Sequence, residues 1–168
     1  MRHVISILLQ NEAGALARVA SLFSTRGYNI ESLSVAPTED PQVSRLTLVS
    51  IGSDQVISQI NKQLFKLVDV VNIVDMTEDR HFERELLLMK VKIRDGSAQT
   101  LPELIEKSGA RVLDDSPETY TLELTGANVH VDDFISRVGD CAEILAVVRS
   151  GAMAIARGSK VLSSVRSG

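Results

Sequence analysis

Along the first ten residues, His3, Ile5, Ile7 and Leu9 alternate with Val4, Ser6 and Leu8, the period of two that suits a strand buried on at least one face. From Gly14 the period changes. Leu16, Val19, Ala20 and Phe23 recur at i, i+3, i+4 and i+7, and Gly27, just beyond Arg26, is placed to end a helix. Asn29 to Ala36 predicts a second strand, Pro37 to Pro41 a turn and Val43 to Ile51 a third strand, so that the two strands form a hairpin. Ser53 stands in an N-cap position before a second helix, with Val56, Ile60, Leu64 and Leu67 on one face and Lys62 and Lys66 mostly on the other; Val70 to Val74 predicts a short fourth strand. The order β-α-β-β-α-β is the ferredoxin-like split βαβ arrangement, a four-stranded antiparallel sheet with both helices on one face.

The order then repeats. Leu87, Met89, Val91 and Ile93 alternate as a strand, and Leu101, Leu104 and Ile105 give a helix. Val112–Leu113 and Thr119–Leu124 flank the turn Asp115–Glu118, Val131, Phe134, Ile135 and Val138 line another helix, and Ile144 to Val148 closes the unit. The expected fold class is α+β, with two ferredoxin-like βαββαβ units in tandem. Residues 1–76 form the first unit, the polar stretch 77–84 a linker and 85–158 the second unit. The small, basic, serine-rich residues 159–168 make a tail that frays or waits for a partner. The repeat lies in pattern rather than residue identity, so one copy can bind what the other cannot.

Composition narrows the function. The 168 residues are 44% hydrophobic and 24% charged, which is globular rather than disordered. Eighteen Lys+Arg against 22 Asp+Glu leave no basic excess for a phosphate backbone, and with Trp 0, Tyr 2 and Phe 4 the sheet lacks the aromatics that stack bases. Apolar runs such as Leu86 to Met89 fall far short of the ~20 residues that span a bilayer. Met1-Arg2-His3 leads straight into a strand rather than a targeting peptide, and the single Cys141 suits a reducing cytoplasm.

Catalytic chemistry is not apparent. His3, His81 and His130 fall in three different elements with no ligand spacing, so no metal site is expected; His3 belongs at a sheet margin and His130 exposed in a helix's first turn. Cys141 reads as a small core residue, and Asp132-Asp133 and Asp114-Asp115 as helix-terminus and turn residues. The informative segment is Asn11-Glu12-Ala13-Gly14-Ala15-Leu16, which joins the first strand to the first helix. Unpaired amides and partial positive charge at a helix N-terminus favour a carboxylate, Gly14 allows close approach to the backbone, and Asn11 adds a side-chain amide. An isolated Asn-x-x-Gly also fits a plain turn.

The loop is followed by Leu22-Phe23-Ser24-Thr25-Arg26-Gly27-Tyr28-Asn29-Ile30-Glu31-Ser32-Leu33-Ser34-Val35-Ala36-Pro37-Thr38. With Lys62-Gln63-Leu64, Lys66-Leu67-Val68-Asp69-Val70, Glu83-Arg84-Glu85-Leu86 and Arg149-Ser150-Gly151, the chain closely resembles the regulatory small subunits of acetohydroxyacid synthase (acetolactate synthase). Their N-terminal half is an ACT domain. The resemblance covers most of the chain and weakens between Asp95 and Asp140.

It implies a non-catalytic chain of branched-chain amino acid biosynthesis that binds and activates the catalytic large subunit and confers feedback inhibition by valine. Thiamine diphosphate, Mg and FAD would belong to that partner alone, with no cofactor in this chain. It further implies a homodimer through the ACT domains, with the effector held by Asn11, Gly14, Ala15 and Leu16 of one chain and by Asn29 and Ile30 of its neighbour. The amides of Gly14 to Leu16 would take the α-carboxylate, Asn11 with second-strand carbonyls the ammonium, and Leu16, Ile30 and Val35 the side chain. Arg94-Asp95-Gly96-Ser97 of the second unit lacks the Asn-x-x-Gly pattern, which argues against an equivalent second site. Two other readings compete: a free-standing tandem ACT sensor for a different target, and a small ferredoxin-like enzyme, for which no acid, base or nucleophile cluster is found.

Overall fold

The structure, a computed structural model, describes residues 1–96 and 99–164. Ser97 of the second-unit loop and residues 165–168 of the expected tail lie outside the described residues. Met1–Phe82, together with residues 152–164, forms one compact unit, and Glu83–Gly151 forms another.

The first unit runs β1 (Arg2–Gln10), α1 (Ala15–Thr25), β2 (Ile30–Pro37), β3 (Val43–Ile51), α2 (Asp54–Leu64) and β4 (Val70–Asp75). Its strands lie in the order β2-β3-β1-β4, every neighbouring pair antiparallel. The period-two positions Ile5, Ile7 and Leu9 of β1 meet Leu46 and Leu48 of β3 and Val70 and Ile73 of β4, and the helices close this core with Val19, Phe23, Ile57, Ile60 and Leu64. Ser53 is the N-cap of α2 by its extended backbone, though its side chain makes no capping hydrogen bond.

The second unit runs β5 (His81–Ile93), α3 (Thr100–Ser108), β6 (Arg111–Asp115), β7 (Thr119–Gly126), α4 (Asn128–Cys141) and β8 (Ala142–Arg149), with strand order β6-β7-β5-β8. Leu87, Met89, Val91, Leu122 and Leu124 pack against Leu101, Leu104, Val131, Phe134 and Val138, with Cys141 in the same core. Strand β5 begins four residues ahead of the expected domain start, so His81–Arg84, whose charges suggested a linker, are already extended backbone. Among the described residues no helix is long and apolar enough to cross a membrane.

After Gly151 the chain returns to the first unit with a short strand, β9 (Met153–Ala156). The sequence pattern assigned residues 152–158 to the second unit. Instead Ala152 and Ala154 are buried with Val4, Val49 and Met76, on the side of β1 and β3 opposite Ile5 and Leu48, while Met153 and Ile155 are exposed. The small residues face inward and the large ones outward, so alternation of large apolar residues points the wrong way. Arg45 ties the layers together, its Nε donating to Ser6 Oγ at 3.0 Å and Nη2 to Ala154 O at 3.2 Å.

Candidate functional site

The β1–α1 loop is built by what its backbone lacks. Gly14 is the N-cap of α1 in the left-handed region, φ 88°, and no side chain caps the helix. Ala15 N donates to Glu12 O at 3.3 Å and Arg18 N to Gly14 O at 3.0 Å, whereas the amides of Leu16 and Ala17 meet no acceptor among the described residues. Asn11 is anchored twice to the β2–β3 turn: its N donates to Gln42 O at 2.7 Å and its Nδ2 to Pro41 O at 3.0 Å. With the amino group so committed, the side-chain oxygen of Asn11 is the atom left to accept. Ala15 is buried, while Asn11, Gly14 and Leu16 are exposed.

Asn29 and Ile30 are not brought to this loop within one chain. Ile30 pairs with Ser50, which pairs with His3, whereas the loop leaves the opposite end of β1 beyond Gln10, paired with Val43. The two groups are therefore separated by about seven residues of strand, roughly 23 Å. Leu16, Ile30 and Val35 are likewise only partly covered, with Leu16 at 37% and Val35 at 41% exposure.

A feature that the sequence alone did not reveal lies over Gly14. The Arg18 guanidinium donates from Nε to Asp69 Oδ2 at 2.5 Å and from Nη2 to Oδ1 at 3.0 Å. A Cβ on Gly14 would stand 2.9 Å from Arg18 Nη1. Gln10 N donates to Asp69 O at 2.8 Å, fixing Asp69 to the end of β1. The pair spans 51 residues, which is why sequence spacing gave no signal for it. In the second unit Gly96 has a similar φ of 89°, but nothing among the described residues lies within 4 Å of its Cβ position.

Hydrogen bonds from Arg18 hold the Asp69 carboxyl below its ordinary range, outweighing the opposing effect of burial. A depressed folded-state value means the stabilisation is complete above the unfolded-chain value of about 4 and is lost as pH falls through the folded value. Asp69→Asn is therefore expected to flatten the acid limb of the melting-temperature profile below about pH 4, leaving its slope near neutrality unchanged. Thermal melts of both proteins across that range check it; parallel acid limbs would count against the linkage.

The remaining candidates fall outside this loop. His3 is buried rather than marginal, with Nε2 3.4 Å from Asp54 Oδ1 and Nδ1 3.8 Å from Asp75 Oδ2. His130 is exposed in the first turn of α4, its ring nitrogen 3.2 Å from Ser108 O. Burial pushes the Cys141 thiol up, the direction of an inert core residue. Asp114 accepts from Ser116 Oγ in the turn, and Asp132 and Asp133 pair with Arg149 and Arg137. Among the described residues no group of three or more His, Cys, Asp or Glu side chains could hold a metal ion.

The family models described as the AHAS small subunit-like ACT domain and the small subunit of acetolactate synthase match residues 5–72 and 84–158. The acetolactate synthase small subunit of Haemophilus influenzae is 46% identical over 95% of this chain and 98% of its own length. The chain belongs to the acetolactate synthase small-subunit family. The isozyme 3 small subunit of Escherichia coli is 43% identical over 96% of this chain and 99% of its own. The crystal structure of the acetolactate synthase small subunit from Thermotoga maritima matches with a TM-score of 0.85 at 34% identity, covering 95% of this chain and 99% of that one. The ACT-domain match includes the whole β1–α1 loop and β2, and the second small-subunit match continues past Gly151 into the segment that packs with the first unit.

Proposed function

We propose that the chain is the non-catalytic regulatory subunit of acetohydroxyacid synthase, that it activates the thiamine-diphosphate-dependent large subunit, and that valine bound between two ACT domains turns the activity down. The observation that carries the effector assignment is the β1–α1 loop, where two amides that meet no acceptor among the described residues adjoin a left-handed glycine and an anchored Asn11 presents its side-chain oxygen. A free amino acid offers complementary groups: a carboxylate for the amides and an ammonium for the Asn11 oxygen.

The distance of Asn29 and Ile30 from the loop suits a two-chain site. Strand β2 is an edge of its sheet. Antiparallel pairing of two such edges about a two-fold axis inverts one sheet against the other and carries the partner's Ile30 end toward the loop end of the first. Leu16, Ile30 and Val35 then form the apolar wall for the effector side chain. Each methylene-sized contact discriminates by only about 1 to 3 kcal/mol, so leucine and isoleucine are expected to bind more weakly rather than not at all. Control requires valine to prefer one state of the assembly, with a coupling of typically ~1 to 3 kcal/mol.

The test is acetolactate formation by the matching large subunit, with and without this chain, across titrations of valine, leucine and isoleucine. Activation together with valine inhibition is the expected result. Activation without inhibition would remove the effector site but keep the partner. No effect of either kind, with no co-purification of the large subunit, would favour a free-standing amino-acid sensor.

A further inference from the structure

Resting on the effector site proposed above, we infer that Arg18 is the charge that reads the effector's α-carboxylate, and that Asp69 is the positioning residue that aims it. The ion pair uses one edge of the guanidinium, the side that carries Nε and Nη2. The third nitrogen, Nη1, lies over Gly14 and has no acceptor among the described residues.

A guanidinium gripped through two hydrogen bonds cannot rotate freely, so Nη1 is preorganised rather than found by search. Asp69 is itself fixed, because it is 4% exposed and its carbonyl accepts from Gln10 N at the end of β1. The chain of placement therefore runs from the last ladder residue of β1 through Asp69 to Arg18 and on to the loop.

Gly14 completes the arrangement. A Cβ at position 14 would stand 2.9 Å from Nη1, so glycine there leaves the guanidinium in place over the loop, and the Arg18 side chain is 48% exposed, open to a ligand from solvent. A carboxylate seated at the loop can thus accept from Nη1 in a charge-assisted hydrogen bond. Asp69 neutralises much of the Arg18 charge, and Glu12 of the same loop also acts on it electrostatically. The site is consequently a weak general anion trap and a better reader of a carboxylate delivered at one position. Valine should be preferred over valinamide, which has the same shape without the anionic group.

The experiment is calorimetric binding of L-valine and L-valinamide to the full chain, as wild type, Arg18→Gln and Gly14→Asp. Arg18→Gln is expected to weaken valine by about 10- to 100-fold while changing valinamide less than about 3-fold, so that the preference collapses. If Arg18 only docks α1 against Asp69, both ligands weaken equally and the preference survives, which overturns the inference. Should Arg18→Gln fail to fold, Arg18→Lys gives the same decision: a reduced preference for valine supports the role, and an unchanged preference refutes it. If Gly14→Asp abolishes valine binding while Arg18→Gln keeps the wild-type preference, the effector site stands and only the role of Arg18 falls. If wild type binds neither ligand, the effector site falls and the role of Arg18 with it.

Discussion

Gly14→Asp is expected to abolish valine inhibition of the reconstituted synthase, shifting the half-inhibitory valine concentration upward by at least about 100-fold. Three effects act in the same direction. Position 14 has φ 88°, which L side chains adopt at a cost, so the loop itself shifts. The new Cβ would stand 2.9 Å from Arg18 Nη1, so the guanidinium must move or rotate. The introduced carboxylate would then occupy the amides and the arginine that an incoming carboxylate needs, and would repel it. Gly14→Ala separates these contributions: it keeps the strain and the contact but adds no charge, and should give a smaller shift. An inhibition curve for Gly14→Asp that overlays the wild type would remove this loop as the effector site.

Arg149→Ala carries the largest expected effect on stability. Glu85, 4% exposed, accepts from Arg149 Nε at 2.6 Å and Nη2 at 2.9 Å, and Arg149 Nη1 reaches Asp132 at 2.8 Å. These contacts raise the Arg149 pKa well above its ordinary value. Removing the guanidinium takes the bidentate partner from a buried carboxylate, which in comparable sites costs about 3 to 5 kcal/mol. Because a third of the Arg149 side chain reaches solvent, about 3 kcal/mol is the better expectation here. Urea unfolding of the full chain measures it. Replacing both partners, Glu85→Gln with Arg149→Met, should cost less than the single change, since no buried charge is left behind. A loss below about 1 kcal/mol for Arg149→Ala would mean that the network behaves as a surface pair.

That network also shows how far the sequence could be read. Glu83-Arg84-Glu85-Leu86 and Arg149-Ser150-Gly151 both entered the family resemblance, yet their mutual contact across 64 residues was invisible, as was that of Arg18 with Asp69. Periodicity reports which face of an element is buried, not which element supplies the cover. The first six elements were legible because the switch from period two to period 3.6 is sharp at Gly14 and again near Ser53. Asn11 and Gly14 stood out for the same reason, as the turn chemistry between two clear periods. His3 proved buried, with Asp54 of α2 and Asp75 of β4 beside its ring, neighbours that lie far along the chain. Strand β9 was missed because its inward residues are alanines and its outward ones are Met153 and Ile155, the reverse of the usual signal.

The return of the chain after Gly151 has a consequence for the order of synthesis. The first unit leaves the ribosome first, but the cover over Val4, Val49 and Met76 is supplied by Ala152 and Ala154, which are translated only after the whole second unit. Domains commonly fold as they emerge, N-terminal first. Here the earliest half carries an uncovered apolar face throughout translation of the later one and is the last to be finished, so a nascent chain stalled before Ala152 exposes the patch that the completed protein hides.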